Sequence, residues 1–216
     1  MKCSSMRNSK IIKNSKLIRN EGRWKKGTRQ GAITALAFTA LFAGLISAGA
    51  FVAVPLGPVP IALQNFFTLL SGLVLGPILG AASVGLFIAA GAIGIPVFAN
   101  NGTPMGITRI LGPTGGYLLG YLLGALVAGL ILGSPRPGKE IPVWRLIVAI
   151  VSGVLVVYIP GLIRLKWFLG ISWTQTLAAG FYPFIIGDAI KGVIAGLLAP
   201  RLRRTVSRLW GVGSRE

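Results

Sequence analysis

An aspartate and a lysine stand three residues apart in an apolar run near the C-terminus, in the stretch GDAIKGVIAG at 187–196. Asp188 is the only aspartate of the chain. Residues at i and i+3 share one helix face, so the Asp188 carboxylate and the Lys191 ammonium can pair there. Such a pair either joins helices and neutralises two buried charges, or it lines a cavity and contacts a ligand. We expect the second role.

A second group of polar residues lies in the segment 98–109, which contains Asn101 and Arg109 together with Asn100 and Thr103. Asn-Gly and Thr-Pro also suit an ordinary solvated turn. Each of these residues taken alone is therefore equally compatible with a structural role. We nevertheless include Asn101 and Arg109 among the candidate binding residues.

The stretch GPTGGY at 112–117 opens the next apolar run. Its proline stands at an early helical position, with free backbone amides behind it. Such a helix start suits an anionic group, and Tyr117 follows directly. In another apolar run, Gln64 and Asn65 are amides that can contact a ligand. Hydrogen bonding between helices explains them at least as well.

The absent residue types exclude several classes of protein. The chain has no histidine and a single cysteine, Cys3, which rules out His-based triads, His metal clusters and an internal disulfide framework. It contains no GxxxxGK[ST] sequence and so no phosphate-binding loop for ATP hydrolysis. Asp188 is the only acidic residue in an apolar segment, so no carboxylate dyad can form there. We expect neither enzyme activity, nor a metal, nor a cofactor.

The composition indicates a membrane protein. Of the 216 residues, 53% are hydrophobic and 12% are charged, whereas soluble domains contain about 25% charged residues. The formal charge of +18 comes largely from the ends, with ten Lys/Arg in residues 1–30 and five in residues 201–216. Basic flanks beside uncharged apolar runs are typical of the cytoplasmic segments of membrane proteins. We therefore expect no nucleic acid partner, despite the basic balance.

Six apolar segments are long enough, or nearly so, to cross a bilayer core of about 30 Å. The second and third are separated by Leu75-Gly76-Pro77, where glycine and proline favour a tight turn over one long helix. A loop near 160–174 follows the fifth segment. We predict spans at 31–54, 60–76, 78–95, 113–133, 143–162 and 174–200.

The positive charges predict the orientation of these spans. With the N-terminus inside, eighteen Lys/Arg lie on the inner side, including Arg136, Lys139 and Arg145 in the short fourth connection. Three lie in the outer loops, and Lys191 lies within a span. Because positive residues accumulate on the cytoplasmic side, we expect both termini to be cytoplasmic.

Four stretches form a specific combination, namely PLGPVPIALQNFFTLLSGLVLGPILGA at 55–81, GAIGIPVFAN at 91–100, LGPTGGYLLGY at 111–121 and GDAIKGVIA at 187–195. Together they resemble the BioY family, the biotin-specific substrate-binding (S) components of energy-coupling factor (ECF) transporters. The likeness runs from about residue 30 to residue 200. The segment NNGTPMGITR at 100–109 departs from the more glycine-rich loop of many members.

The resemblance implies an all-α membrane protein, a six-transmembrane-helix bundle of the ECF S-component type, in the cell (plasma) membrane. We accordingly divide the chain into a basic cytoplasmic N-terminal extension at 1–28, a transmembrane substrate-binding domain at 29–200 and a basic cytoplasmic tail at 201–216. The family captures biotin from outside and works with a transmembrane coupling (T) subunit and cytoplasmic ATPases. Biotin is then the transported ligand, and no cofactor is implied.

Biotin has a ureido ring with two N–H donors and one carbonyl acceptor, which a buried carboxylate and an ammonium complement. We predict that it contacts six residues: Asp188, Lys191, Asn101, Arg109, Tyr117 and Gln64. In the family, a face of small residues on span one docks the T subunit. Here Ala40, Gly44 and Ala48 form such a face. The similar set Ala35, Thr39 and Ala43, and packing inside the bundle, are alternatives.

Two other functions stay open on the sequence. A self-sufficient secondary (proton-coupled) carrier for a small anionic vitamin would use Asp188 as its titrating group, although no inverted repeat is visible. A membrane scaffold would bind no ligand at all. Membrane lipid is an expected partner, and a homo-oligomer is equally compatible with the sequence.

Overall fold

The computed structural model describes residues 29, 31–54, 59–99, 106–136, 138 and 140–212, and their regular secondary structure is helical apart from one short hairpin. The helices are α1 (Gly31–Phe51), α2 (Gln64–Leu75), α3 (Pro77–Ala92), α4 (Ile107–Leu111), α5 (Gly115–Leu132), α6 (Val143–Leu169), α7 (Trp173–Gly180) and α8 (Tyr182–Val212). In the hairpin, β1 (Ala53–Val54) runs antiparallel to β2 (Ile61–Ala62).

Within the described residues, four helical stretches are long and apolar enough to cross a membrane. They are Gly31–Phe51, Gly115–Leu132, Val143–Leu169 and Trp173–Leu209, the last comprising α7 and most of α8. The helices α2 and α3 are apolar but shorter, with 12 and 16 residues. The all-helical architecture agrees with the prediction, whereas six full-length spans are not evident from helix length.

The boundary between α2 and α3 follows from two residues. Gly76 adopts a φ of 85°, a conformation that glycine reaches without steric cost. Pro77 begins α3 at a position where a missing N–H does no harm. The predicted division of this region into two short helices is confirmed.

The predicted end of the fifth span was wrong. Helix α6 continues to Leu169, and it ends only at Gly170, which is in the left-handed conformation. Arg164 and Lys166 therefore lie on a helix, as does Trp167, rather than in a loop. Pro160 stands inside α6 without ending it. Membrane helices tolerate such a proline because neighbouring helices and local adjustments satisfy the freed backbone groups.

The last predicted span, 174–200, is interrupted in the structure. Ser172 caps α7 through a capping box with Gln175, and the helix ends at Gly180. Pro183 lies in the first turn of α8, where its ring disfavours helical geometry in the residue before it. Helix α8 then continues beyond Pro200 to Val212, so it is longer than predicted.

Glycines bring α5 and α6 into close contact at the centre of the bundle. A methyl group at Gly120 or Gly124 would collide with the backbone of α6 at Val157 or Gly153. Small residues spaced by four allow backbones to approach in this way. The contact fixes the position of Tyr117, which lies one turn before Gly120, along the axis of α6.

The main core lies among α1, α2, α5, α6 and α8 and includes Phe42, Leu69, Leu73, Ala128, Ala149 and Ala195. A second cluster, with Ile46, Val84 and Phe87, joins α1, α3 and α5. Together they hold the ends of α2 and α8 at fixed positions beside α6.

Candidate ligand-binding site

Asp188 and Lys191 lie side by side on α8, with 3.5 Å between Lys191 Nζ and Asp188 Oδ1. Asn65 of α2 bridges them: its Nδ2 donates to Asp188 Oδ1 at 2.7 Å, and its Oδ1 accepts from Lys191 Nζ at 2.9 Å. Tyr158 of α6 donates its hydroxyl to Asp188 Oδ2. We call these four residues the Asp188 cluster.

The Asp188 cluster is buried, and its charges are compensated. The side chains of Asp188 and Lys191 are 10% and 14% exposed, and theirs is the only ion pair in the described part of the chain. One orientation of the Asn65 amide serves both charges, because its NH₂ must face the carboxylate and its oxygen the ammonium. These hydrogen bonds offset the desolvation cost of burying two ions.

Lys191 also ties α8 to the hairpin. Its Nζ donates to the backbone oxygen of Ala62, the last residue of β2, at 2.9 Å. Asn65 stands in the first turn of α2, which follows β2 directly. The charged pair on α8 thus holds the point where the hairpin enters the bundle.

A small cavity adjoins the cluster, and we call it the Gln64 cavity. It measures about 20 Å³ and is lined by Gln64, Arg109, Tyr117, Thr114 and Tyr121, among others. Gln64 Nε2 donates to the Tyr121 hydroxyl at 3.4 Å. Gln64 Oε1 is buried and has no hydrogen-bond partner within the described residues. Because an unpaired buried acceptor is costly, a donor entering this cavity would be stabilised there.

Two side chains of the Gln64 cavity are anchored by backbone oxygens. Arg109 Nη2 donates to Ala99 at 2.9 Å, and the Tyr117 hydroxyl donates to Gly180 at 2.9 Å. Partial burial lowers the pKa of Arg109 from its ordinary value of 12.5. An arginine remains protonated at neutral pH, so Arg109 brings a positive charge to the rim of the cavity.

The predicted binding residues fall into two adjacent groups. Two of the six belong to the Asp188 cluster, and three line the Gln64 cavity. The groups meet where Gln64 and Asn65 are consecutive, and where the rings of Tyr117 and Tyr158 pack edge to face with centroids 6.4 Å apart. The sixth, Asn101, lies outside the described residues, as do Asn100 and Thr103.

Sequence reasoning missed Tyr158 and Tyr121. Tyr158 is a lone hydroxyl in the apolar run VLVVYIPGL at 154–162, and a buried tyrosine hydroxyl usually has a hydrogen-bond partner. The sequence therefore contained a signal for a buried hydrogen bond at Tyr158. Asn65 was weighed as a ligand contact or as an amide between helices but was not among the predicted binding residues, and the structure places it between both charges of α8.

The two small-residue faces of α1 differ in exposure. Ala40, Gly44 and Ala48 are exposed, and a side chain at Gly44 would meet no atom within 4 Å. Thr39 and Ala43 are buried in the bundle. The first face is therefore free to contact another helix, and the second packs inside.

Together the two groups can bind a polar ligand through hydrogen bonds. They offer a carboxylate, an ammonium, two amides and several tyrosine hydroxyls, which suit hydrogen bonding to N–H and C=O groups. Within the described residues, no three His, Cys, Asp or Glu side chains come together to hold a metal ion.

Three comparisons identify related proteins. The model of the BioY family matches residues 19–208. The probable biotin transporter BioY of Pyrococcus horikoshii is 41% identical over 168 residues, or 78% of this chain and 95% of that protein. The biotin transporter BioY of Thermotoga maritima is 41% identical over 164 residues, or 76% of this chain and 92% of that protein. The crystal structure of the S-component for biotin from an ECF-type ABC transporter matches with a TM-score of 0.71 and 31% identity, covering 80% of this chain and 92% of that one.

Proposed function

The chain belongs to the BioY family, and from this membership we propose that it is the biotin-capturing subunit of an ECF transporter. It is a membrane transport component and not an enzyme. The strongest single support for biotin as the ligand is the likeness to the solved S-component for biotin. The buried Asp188 cluster beside the Gln64 cavity supplies a polar site of suitable chemistry.

Asp188 accepts from the ureido N–H groups of biotin. Among the described residues its Oδ2 accepts from Tyr158 alone, and each carboxylate oxygen has two lone pairs. A ureido N–H can therefore bind there without displacing the tyrosine. Lys191 donates to the ureido carbonyl or holds the carboxylate in place. Gln64 Oε1, which has no partner among the described residues, accepts a further N–H.

Arg109 and Tyr117 serve the other end of biotin. Arg109 lies at the rim of the Gln64 cavity and attracts the carboxylate of the valeryl chain. The ring of Tyr117 offers an apolar surface, because its hydroxyl is already bonded to Gly180.

Biotin binding requires the site to widen. The Gln64 cavity measures about 20 Å³, and a neighbouring cavity against Asp188 and Asn65 about 30 Å³, whereas sites for small organic ligands measure about 300–1,000 Å³. The cleft of about 890 Å³ between α6 and α8 also borders Asp188, but Gln64 and Arg109 do not line it. Capture is therefore accompanied by movement of the residues around α2 and α4. Protection of these segments from hydrogen exchange upon addition of biotin would reveal it.

The proposed topology has six spans, with α2 and α3 as two short ones and α7–α8 as one interrupted span. Both termini are cytoplasmic, because most Lys/Arg then lie inside. In a variant without Cys3, a cysteine at position 103 should react with a membrane-impermeant reagent from outside, and one at 137 should not. Labelling at 137 from outside would overturn this orientation.

Energy for uptake comes from partner subunits in this proposal. The chain has no phosphate-binding loop, so a T subunit and ATPases must supply it. The exposed face of Ala40, Gly44 and Ala48 is the proposed docking surface for the T subunit. Replacing Gly44 with leucine should abolish co-purification with these subunits while leaving biotin binding intact.

The direct test is biotin binding to the purified chain in detergent, measured by calorimetry. We expect saturable binding of one biotin per chain and no ATP hydrolysis. A well-folded chain that binds no biotin would end the proposal. Uptake of biotin by cells that lack T and ATPase subunits would instead favour a self-sufficient carrier.

A further inference from the structure

A basic cavity of about 540 Å³ lies between the α5–α6 connection and the last turns of α8, away from the Asp188 cluster. Five arginines and one glutamate line it: Arg136, Arg145, Arg203, Arg204, Arg208 and Glu140. We call it the arginine cavity. Five positive charges against one negative leave a formal net charge of +4.

Two of these arginines have structural roles. Arg203 is buried and donates to the backbone oxygens of Leu73 and Gly133, at the carboxyl ends of α2 and α5. Arg145 donates to the backbone oxygen of Ile131, also near the end of α5. Helix C-termini attract cations, so both are explained as caps of neighbouring helices.

The other three arginines have no such explanation. Arg136, Arg204 and Arg208 are exposed side chains. No carboxylate lies within ion-pair distance of them among the described residues, where the only ion pair is that of the Asp188 cluster. Guanidinium groups around a concave surface suit a phosphate, whose oxygens accept paired hydrogen bonds.

A large apolar cleft continues from the arginine cavity along α6 and α8. It measures about 890 Å³, and Pro200 and Arg204 line both cavities. Val151 and Leu197 lie along it. Phe181, at its other end, is 23 residues before Arg204 on the chain, roughly 35 Å at the rise of an α-helix. One leaflet of the hydrocarbon core is about half of 30 Å, so an acyl chain fits within the cleft.

We propose that the arginine cavity binds the phosphate headgroup of an anionic phospholipid whose acyl chains lie in the cleft between α6 and α8. The continuity of the two cavities favours a lipid over a free anion, because a free phosphate would leave the cleft unused. The excess of positive charge favours an anionic over a zwitterionic headgroup. Tyr158 and Asp188 also line this cleft, so the acyl chains would lie beside the proposed biotin site, and the test below uses no biotin.

Native mass spectrometry of the purified full chain tests this site with dioleoyl-phosphatidylglycerol, dioleoyl-phosphatidylcholine and glycerol 3-phosphate. We expect phosphatidylglycerol to bind about tenfold more tightly than phosphatidylcholine, and glycerol 3-phosphate to bind more weakly than either lipid. The variant Arg204→Gln/Arg208→Gln should bind phosphatidylglycerol about tenfold more weakly. Its affinity for phosphatidylcholine should not change. The matched control Lys26→Gln/Arg29→Gln removes the same charge near the N-terminus and should leave the preference intact.

A second variant separates headgroup from chain. Leu197 is 64% exposed in the cleft, so Leu197→Asn should weaken the binding of both lipids without unfolding the protein. Equal affinity for the two lipids, or an equal loss in the control, would overturn the proposal. Binding of glycerol 3-phosphate as tight as that of phosphatidylglycerol would identify a free-anion site instead. Absence of a lipid preference, with loss of co-purification with the ATPase subunits in the arginine variant, would show that the cavity docks a protein.

Discussion

The two charged regions of the molecule differ in how their charges are compensated. In the Asp188 cluster, the carboxylate and the ammonium are largely buried, and each has a hydrogen-bond partner from α2. In the arginine cavity, three exposed guanidinium groups have no carboxylate partner in the described structure. The two charges of a buried pair depend on each other, because removing one leaves the other buried without a counterion, which is strongly destabilising. An exposed arginine can be replaced with little effect on folding stability, and its loss chiefly weakens ligand binding.

The largest effect is expected from removing one member of the buried pair. Lys191→Met leaves the Asp188 carboxylate without its counterion and should lower stability by about 3–5 kcal/mol. Arg204→Met, which removes an exposed charge, should change it by about 0.5 kcal/mol or less. Tryptophan fluorescence during thermal unfolding in detergent measures both. Adding Asp188→Asn to Lys191→Met should recover part of the lost stability. Equal stability of Lys191→Met and Arg204→Met would refute the difference between the two charged regions.

The second prediction concerns biotin affinity. Asp188→Asn keeps the shape of the side chain but removes a charged acceptor, and a hydrogen bond to a charged group contributes about 1.5–3 kcal/mol. We therefore expect binding to weaken by about tenfold or more in calorimetry. Arg204→Gln is the control from the other charged region and should bind biotin like the unmodified chain. Undiminished affinity in Asp188→Asn would remove the carboxylate from the site.

Two tyrosines allow a smaller, matched comparison. Tyr158 donates to a carboxylate and Tyr117 to a neutral backbone oxygen. Tyr158→Phe should destabilise the chain by about 1.5–3 kcal/mol and Tyr117→Phe by about 0.5–1.5 kcal/mol. Thermal unfolding of both variants in one detergent gives the ranking. A reversed order would mean that the Tyr158 bond to Asp188 contributes little.

The smallest effect is expected at the rim of the Gln64 cavity. Arg109→Ala should weaken biotin roughly two- to fivefold, the range for a partly exposed charge pair. Biotin amide, which lacks the carboxylate, should be affected less. Competition of both ligands against labelled biotin measures the difference. If both weaken equally, Arg109 has a structural role through its bond to Ala99.

Local signals allowed part of the fold to be predicted. Gly76 and Pro77 mark the break between α2 and α3 because glycine and proline restrict the backbone directly. The end of α6 was missed because Pro160-Gly161 is typical of a turn, whereas the helix continues through both residues to Leu169. The break between α7 and α8 was missed because Pro183 stands within an apolar run that already had the length of a span.

The site was predictable in its charges but not in its partners. Asp188 and Lys191 are conspicuous because they are ionisable residues in an apolar run. Asn65 is 123 residues from Asp188 along the chain, and only the packing of α2 against α8 brings them together. Gln64 Oε1, unpaired among the described residues, likewise depends on how α2 faces α5, which residue spacing alone does not determine.

The central claim is that Asp188 and Lys191 contact biotin directly, and the charge swap Asp188→Lys/Lys191→Asp tests it most directly. The swap keeps both charges on one face of α8 and should restore most of the stability that either single change removes. Calorimetric titration with biotin, on protein whose unfolding midpoint approaches that of the unmodified chain, is the measurement. We predict that affinity remains at least about tenfold weaker, since the carboxylate no longer meets the ureido N–H groups. Full recovery of biotin affinity in a well-folded swap would contradict the claim and leave the pair a structural link between helices.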